Sequence, residues 1–385
     1  MPSAYREYKI VVLPGDGVGP EVTTQALKVL CAANELAQIR MNLEEIPCGG
    51  HYYAQHETEW PEGSFEKCRD ADAILLGAVG HEVDGKTVFT KPGKPYSTPQ
   101  LAGYAQVIGN RQKLDLYANV RPVRLYPGVK IRISGEFKEI WKPQNVDYVV
   151  VRENTEDAYT GETHEIAGGK MTPIKITRAA TEKVVRFAFQ LARKRKKQGK
   201  VTCVDKSNII GAHKYFREIF TEIGRNEFPE IKLDYAYLDA FCQWQMRNPE
   251  YYDVAVAPNL AGDVVSDNAA TTQGGLGMAV GGNIGDAHAM FEPIHGSAPK
   301  HAGQDKINPM AAILATRMML EWLGERHNDE RLARAGSAIE QAVMAVLAEG
   351  KTLTYDLVGE ERAARCSEVG EAVKAQLSKI FVQNR

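Results

Sequence analysis

NLAGDVVSDNAATTQGGLGMAVGGNIGDAHAMFEPIHGSAPKHAGQDKINP, residues 259–309, is the stretch around which the chain is organised. Asp263 and Asp267 stand four apart, so a helix places both carboxylates on one face. Two carboxylates so placed can hold a hard divalent cation such as Mg²⁺ or Mn²⁺. Glycines crowd the next segment, GGLG at 274–277 and GGN at 281–283, and small residues let a ligand approach the backbone closely. The stretch ends in His295, Gly296, Ser297, Ala298 and Lys300, followed by Asn308, which offer polar contacts on a turn-rich segment. An acidic helix beside a phosphate- or nucleotide-binding loop points to metal-assisted chemistry on a small anion. The plainer alternative, a solvated helix and an idle loop, weakens as further groups accumulate.

Outward from that stretch, strands alternate with helices. Apolar runs at 8–13, 72–80, 114–122, 147–151, 201–204 and 253–257 read as strands. Helical periodicity covers 21–35, 104–113, 179–198 and most of the chain after Pro309. The alternation predicts an α/β fold, with the first and last thirds sharing one domain and the middle inserted. PGDGVGPE at 14–21 joins a strand to a helix, yet its spacing is not GxGxxG and no Gly-Lys-Ser/Thr follows, so neither a Rossmann fold nor a P-loop is indicated. The polar segment 81–103 reads as a long loop of the kind that carries function. An excursion after Tyr159, with Gly161, Gly168 and Gly169, reads as a hairpin that packs on a second copy of the chain. The run Arg193–Lys197 reads as cations complementing a helix C-terminus before Gly199, rather than as a binding patch.

At 385 residues the chain exceeds one typical core and implies two domains. A formal net charge of −2 favours neither nucleic acid nor an anionic membrane as partner. No apolar run approaches the roughly 20 residues that span a bilayer. The charged N-terminal segment does not look like an export signal. Six scattered cysteines without a CxxC read as free thiols in a reducing cytoplasm.

Arg111, Arg121 and Arg152 each stand beside an apolar run. Three arginines so placed suggest a clamp, because guanidinium grips carboxylate bidentately. Tyr159 and Lys206 can move protons once burial or neighbours shift them. Asp239 precedes a helix, where capping alone would explain it.

Taken together these residues resemble the metal-dependent β-decarboxylating dehydrogenases, the isocitrate/3-isopropylmalate dehydrogenase family, which also includes homoisocitrate and tartrate/malate enzymes. The resemblance rests on PGDGVGPEV at 14–22, LDLYANVRPVR at 114–124, VVRENTEDAYTG at 150–161, VDKSN at 204–208, NLAGDVVSD at 259–267 and EPIHGSAPKHAGQDKINP at 292–309. It implies a two-domain, isopropylmalate-dehydrogenase-like α/β fold, not a Rossmann fold, working as a homodimer with shared clefts. Residues 1–115 with 274–385 would form the large nucleotide-binding domain. Residues 116–273 would form the small domain, with a dimer arm at about 160–178. By the same resemblance Arg111, Arg121 and Arg152 match substrate-carboxylate arginines, with Asn208 beside the substrate. Tyr159, Lys206 and Asp239 match catalytic groups. Asp239, Asp263 and Asp267 match the metal aspartates, with Lys206 and Asp239 crossing to the neighbouring subunit. Glu292, His295, Gly296, Ser297, Ala298, Lys300, His301, Ile307, Asn308 and Tyr355 match the cofactor site.

Lys300 and Tyr355 resemble the NADP-using members, with NAD the alternative; NAD users carry an acid where Lys300 stands. Isocitrate enzymes resemble one another in a Ser and an Asn just before the first arginine. Ala105 and Val107 stand there instead, and Val107 and Ile108 resemble the paired leucines of isopropylmalate enzymes. RENTEDAY and SAPKHAGQDK look more like isocitrate enzymes. The balance favours a malate with a non-carboxylate 3-substituent over isocitrate. A non-catalytic regulatory subunit is disfavoured because Tyr159, Lys206 and the three aspartates are all present.

Overall fold

AILLGA at Ala73–Ala78 and VAVA at Val254–Ala257 are buried along their whole length, as expected of inner strands covered on both faces. In the computed structural model, which describes residues 6–91, 99–160 and 162–383, they lie in two parallel blocks of one mixed sheet. Residues 92–98 of the long loop and Gly161 of the expected arm lie outside the described residues.

The sheet has ten strands: β1 (Glu7–Gly15), β2 (Arg40–Glu45), β3 (Ala73–Ala78), β4 (Ala118–Arg124), β5 (Asp147–Glu153), β6 (Lys200–Asp205), β7 (Lys232–Tyr237), β8 (Val254–Ala257), β9 (Val280–Ile284) and β10 (Ala289–Pro293). Their order is β7-β6-β8-β5-β4-β9-β10-β3-β1-β2. β2, β1, β3 and β10 run parallel, as do β7, β6, β8 and β5. β4 and β9 join the blocks through antiparallel pairings. The first and last parts of the chain therefore build one end of the sheet, and residues 147–257 build the other.

Among the described residues eight long helices cover it: α1 (Gly19–Ala37), α2 (Arg178–Arg195), α3 (Gly211–Glu227), α4 (Leu238–Arg247), α5 (Asn259–Ala270), α6 (Met310–His327), α7 (Glu330–Glu349) and α8 (Cys366–Gln383). α6 is apolar on most sides because it is wedged between β9 and β10 on one side and α1 and α7 on the other. The cations ending α2 are all engaged: Arg193 with Glu230, Lys194 with Glu325, and Arg195 with Asp147 and Asp253. The six cysteines are free thiols. Among the described residues no helix is long and apolar enough to cross a membrane.

Three local readings change. Residues 104–113 are not one α-helix: Ala105–Gly109 is a π turn, followed by a short α turn at Asn110–Lys113. The strand expected from 114 begins only at Ala118, after a left-handed Asp115 at φ +52°. The glycines at 281 and 282 lie not in a loop but inside buried β9. Strands β2 and β7 lie at the two edges, half exposed, so they lack the apolar runs that betray inner strands. The excursion after Tyr159 is an exposed hairpin, His164–Ile166 paired with Gly169–Met171.

Candidate active site

Arg121 and Arg152 meet because their strands are antiparallel neighbours, with Asn119 of β4 opposite Arg152 of β5. β8 then leads through Pro258 into α5, which lays Asp263 and Asp267 against both arginines. Arg152 Nη1 donates to Asp263 Oδ1, and Arg152 Nε donates to Asn259 Oδ1 at 2.8 Å. Arg121 Nη1 reaches Asp263 Oδ1 at 3.2 Å and Asp267 Oδ1 at 3.0 Å, and donates to Ser266 Oγ at 2.7 Å. Gly262 makes the close approach possible: a Cβ there would lie 2.7 Å from Arg152 Cβ. Tyr159, on the 3₁₀ turn after β5, donates its hydroxyl to Asp263 Oδ2 at 2.7 Å. The Arg152 guanidinium sits over the Tyr159 ring, 5.0 Å from its centre.

These neighbours set opposite tendencies in the two carboxyls. Burial works to raise Asp263, but Arg152 and Arg121 overcome it and hold the carboxyl below its ordinary value. Asp267 goes up, because burial outweighs the pull of Arg121. Burial and Asp263 push the Tyr159 phenol up to about 12, so it stays protonated. A hard divalent cation fits this donor set: two carboxylates on one helix face, with Asp267 half exposed toward solvent. Within one chain the third expected aspartate is elsewhere. Asp239, in the first turn of α4 and not at its cap, accepts from Lys206 Nζ at 2.7 Å. Among the described residues no three acids, histidines or cysteines of a single chain converge on a metal position. Asn208 lies in the turn beyond Lys206, beside a surface groove lined by Lys214, Arg217 and Tyr237.

Arg111 follows the π turn that carries Val107 and Ile108, both half-buried. Its Nη2 donates to Glu292 Oε1 at 2.9 Å, while its buried Nε has no partner. Glu292, expected among the cofactor residues, is thus engaged with an arginine of the substrate set. Its same oxygen also accepts from Asn283 Nδ2 at 2.8 Å. Asn283 Oδ1 in turn accepts from Asn119 at 3.0 Å and Asn154 at 2.9 Å. The sequence reading missed Asn119, Asn154, Asn283, Asn259 and Ser266. A polar residue inside an apolar strand, such as Asn283 between Gly282 and Ile284, was the available signal.

The expected nucleotide loop is assembled from both ends of the chain. Val18 N–H donates to Ser297 O at 2.9 Å, and Gly17, at φ +60°, passes so close that a Cβ would lie 2.0 Å from that oxygen. Ala298 takes a left-handed conformation at φ +38°. Asp16, also missed, is buried and accepts the backbone N–H groups of Gly50, His51 and Gly80, each at 2.9 Å. It ties three loops together near this turn. His295 is driven below its ordinary value by burial, and its buried Nε2 has no partner. That orphaned nitrogen fits a ligand that would satisfy it. Asn308 Nδ2 donates to half-buried Asp356 at 3.0 Å. Tyr355 lies 6.0 Å from the His301 ring, with Lys306 Nζ 4.5 Å above it. Lys306 is a cation beside Tyr355 that the sequence reading did not find.

Residues 9–373 match the family model described as isocitrate/isopropylmalate dehydrogenase. The chain is 37% identical over 376 residues to the 3-isopropylmalate dehydrogenase of Moorella thermoacetica, covering 97% of this chain and 99% of that protein. It is 39% identical to the 3-isopropylmalate/3-methylmalate dehydrogenase of Methanocaldococcus jannaschii, covering 91% and 94%. Among solved structures, isocitrate dehydrogenase from Methylococcus capsulatus superposes with a TM-score of 0.81 at 32% identity, covering 96% of this chain and 99% of that one.

Proposed function

We propose, from the premise that this chain belongs to the isocitrate/isopropylmalate dehydrogenase family, that it oxidises and decarboxylates a 3-substituted malate. The products are a 2-oxo acid, CO₂ and a reduced nicotinamide nucleotide. The observation that carries the reading is the convergence of Arg121, Arg152, Tyr159, Asp263 and Asp267 on one face of the sheet. Such a cluster has the cations to grip a dicarboxylate and the acids to hold a metal.

Arg111, Arg121 and Arg152 hold the substrate carboxylates. A divalent cation, Mg²⁺ or Mn²⁺, on Asp263, Asp267 and the partner's Asp239 would supply Lewis acidity at the C2 oxygen. NADP, or NAD, would supply the hydride acceptor. The hydroxyl proton leaves by relay as C2 is oxidised, the partner's Lys206 accepting it while passing one of its own protons to the partner's Asp239. The C3–CO₂ bond then breaks, and its electron pair is retained on the substrate. Tyr159, kept protonated, delivers a proton to C3.

This assignment needs a homodimer with shared clefts, in which the hairpin near 160–178 contacts the second copy. Exposed Leu260 and Val264 on α5 and Trp244 on α4 support that association. We assign residues 1–115 and 274–385 to the nucleotide domain and 116–273 to the small domain. Half-buried Val107 and Ile108 beside Arg111 support an alkyl-bearing substrate over isocitrate, as do relatives named for isopropylmalate and methylmalate. Lys300, with Lys306 above Tyr355, supports NADP, since a 2′-phosphate calls for cations.

Reduced-nucleotide absorbance with isocitrate, 3-isopropylmalate, malate and tartrate, each with NADP and NAD and with or without chelator, tests the reading. A metal-dependent preference for 3-isopropylmalate is expected. A large kcat/KM preference for isocitrate refutes the substrate assignment, and chelator-resistant turnover refutes the metal.

A further inference from the structure

Asn283 occupies the centre of the sheet, on β9, fully buried and with its side-chain amide saturated. Its Nδ2 donates to Met290 O at 3.1 Å and to Glu292 Oε1 at 2.8 Å. Its Oδ1 accepts from Asn119 Nδ2 at 3.0 Å and from Asn154 Nδ2 at 2.9 Å. Two of those partners are already committed to arginines. Glu292 Oε1 accepts from Arg111 Nη2 at 2.9 Å, and Asn119 Oδ1 accepts from Arg121 Nε at 3.1 Å. Asn154 is further tied to Leu116 O at 2.8 Å, and it stands two residues beyond Arg152. A continuous buried chain therefore runs Arg111–Glu292–Asn283–Asn119–Arg121 across β10, β9 and β4.

We propose that Asn283 is a positioning residue that fixes the spacing of Arg111 and Arg121, and thereby sets affinity for the substrate dicarboxylate. The inference rests on the assignment of those arginines as the carboxylate clamp. A guanidinium can rotate about its long side chain, so something must hold each planar fork to a carboxylate. Here one nitrogen of each fork, Arg111 Nη2 and Arg121 Nε, is braced by an acceptor of this chain of contacts; Arg121 Nη1 is held by Ser266, Asp263 and Asp267, so Arg111 Nη1 and Arg121 Nη2 are left for the ligand. Both acceptors are aimed by the same amide, whose donor and acceptor ends face opposite neighbours. No apolar or hydroxyl residue reproduces that polarity. An amide with all four of its hydrogen bonds made stiffens the network around it, whereas a missing donor there leaves buried acceptors unpaired.

Asn283→Asp separates positioning from mere folding. The substitution keeps shape and both acceptor contacts, but it replaces the Nδ2 that donates to both Glu292 Oε1 and Met290 O with a carboxyl oxygen, which can serve at most one of them. Glu292 is the charged group that faces the new carboxyl directly, from β10; Arg111 lies beyond Glu292 and Arg121 beyond Asn119. With a shared proton the new side chain donates to Glu292 but leaves Met290 O without its donor, and without one it donates to neither and the two carboxylates repel.

Steady-state kinetics of N283D beside the unsubstituted enzyme are the test. Expected is a rise in substrate KM of about tenfold or more with kcat within about threefold. An unchanged KM, or a loss that falls on kcat instead of KM, overturns the proposal. If N283D does not fold, Asn283→Ser carries the test: KM is expected to rise about tenfold or more with kcat retained, and an unchanged KM overturns it. Arg111→Gln and Arg121→Gln run alongside. If those leave KM unchanged, the clamp assignment itself fails; if they raise it while both Asn283 variants do not, only the positioning role fails.

Discussion

Arg152–Asp263 and Lys206–Asp239 are both cation–carboxylate pairs, yet they sit in opposite surroundings. The Arg152 side chain is 2% exposed, and its partner is also engaged by Arg121 and Tyr159. Lys206 and Asp239 are 28% and 70% exposed, and among the described residues no other side-chain ion pair or hydrogen bond holds Asp239. A buried pair must be completed within the fold, because an unpaired buried charge is costly. An exposed pair contributes little to stability and is free to be completed by something else. One chain therefore presents a finished half-site and an unfinished one. In the proposed dimer each would finish the other.

The contrast breaks most sharply under paired substitutions. Asp263→Asn is expected to cut kcat by about 10²–10³-fold, and to destabilise the fold by about 3 kcal/mol through stranded Arg152. Asp239→Asn is expected to cut kcat comparably and to leave Tm unchanged. Mixing the two inactive proteins after dissociation should restore about a quarter of normal activity, since half the dimers are hybrids with one intact site. No recovery on mixing would sink the shared-site reading.

Tyr159→Phe comes next. It removes the proton donor to carbon, and a loss in kcat of about 10²-fold with substrate KM little changed is expected. An unaltered kcat would take Tyr159 out of the reaction. Gly262→Ala should lower stability by about 1–3 kcal/mol in thermal or denaturant melts, because its Cβ would strike Arg152. A neutral result would mean that α5 can retreat from β5 more easily than its packing suggests.

The smallest expected effect is on the pH dependence of stability. His295 is held below its ordinary value of 6.5 by burial. Its neutral form is the one that folds, so stability is full above about 6.5 and is lost as pH falls below it. Asp263 is also depressed, and its contribution is lost only at lower pH, as the solution falls below its ordinary 3.8. His295→Gln should therefore flatten denaturant-melt stability between about pH 6.5 and 5 while leaving the steeper acid loss below 4 in place. An identical profile in both proteins would show that His295 does not titrate on unfolding in that window.

The inner strands were legible because β3, β5 and β8 are continuous apolar runs, a pattern that burial on both faces demands. Edge strands β2 and β7 were not, since exposure removes that demand. The glycines of β9 were misread as a loop for a related reason. They do permit close approach, but what approaches is the sheet's own packing, with Phe291 and Met318 side chains crowding Gly282. The paired aspartates, the three arginines and Tyr159 were recoverable as candidates because charge in an apolar setting stands out.

Sequence by itself settled the α/β class, the family and the helix face that carries Asp263 and Asp267, since local spacing fixes helix and strand periodicity. Only the tertiary structure decided that Arg121 and Arg152 share Asp263, that Glu292 braces Arg111, and that Asn283 links the two ends. Apart from Asn283 and Glu292 on neighbouring strands β9 and β10, those contacts join residues more than a hundred positions apart, such as Arg111 and Glu292. Which partners meet at such separations is set by strand order and register, and no local pattern encodes either.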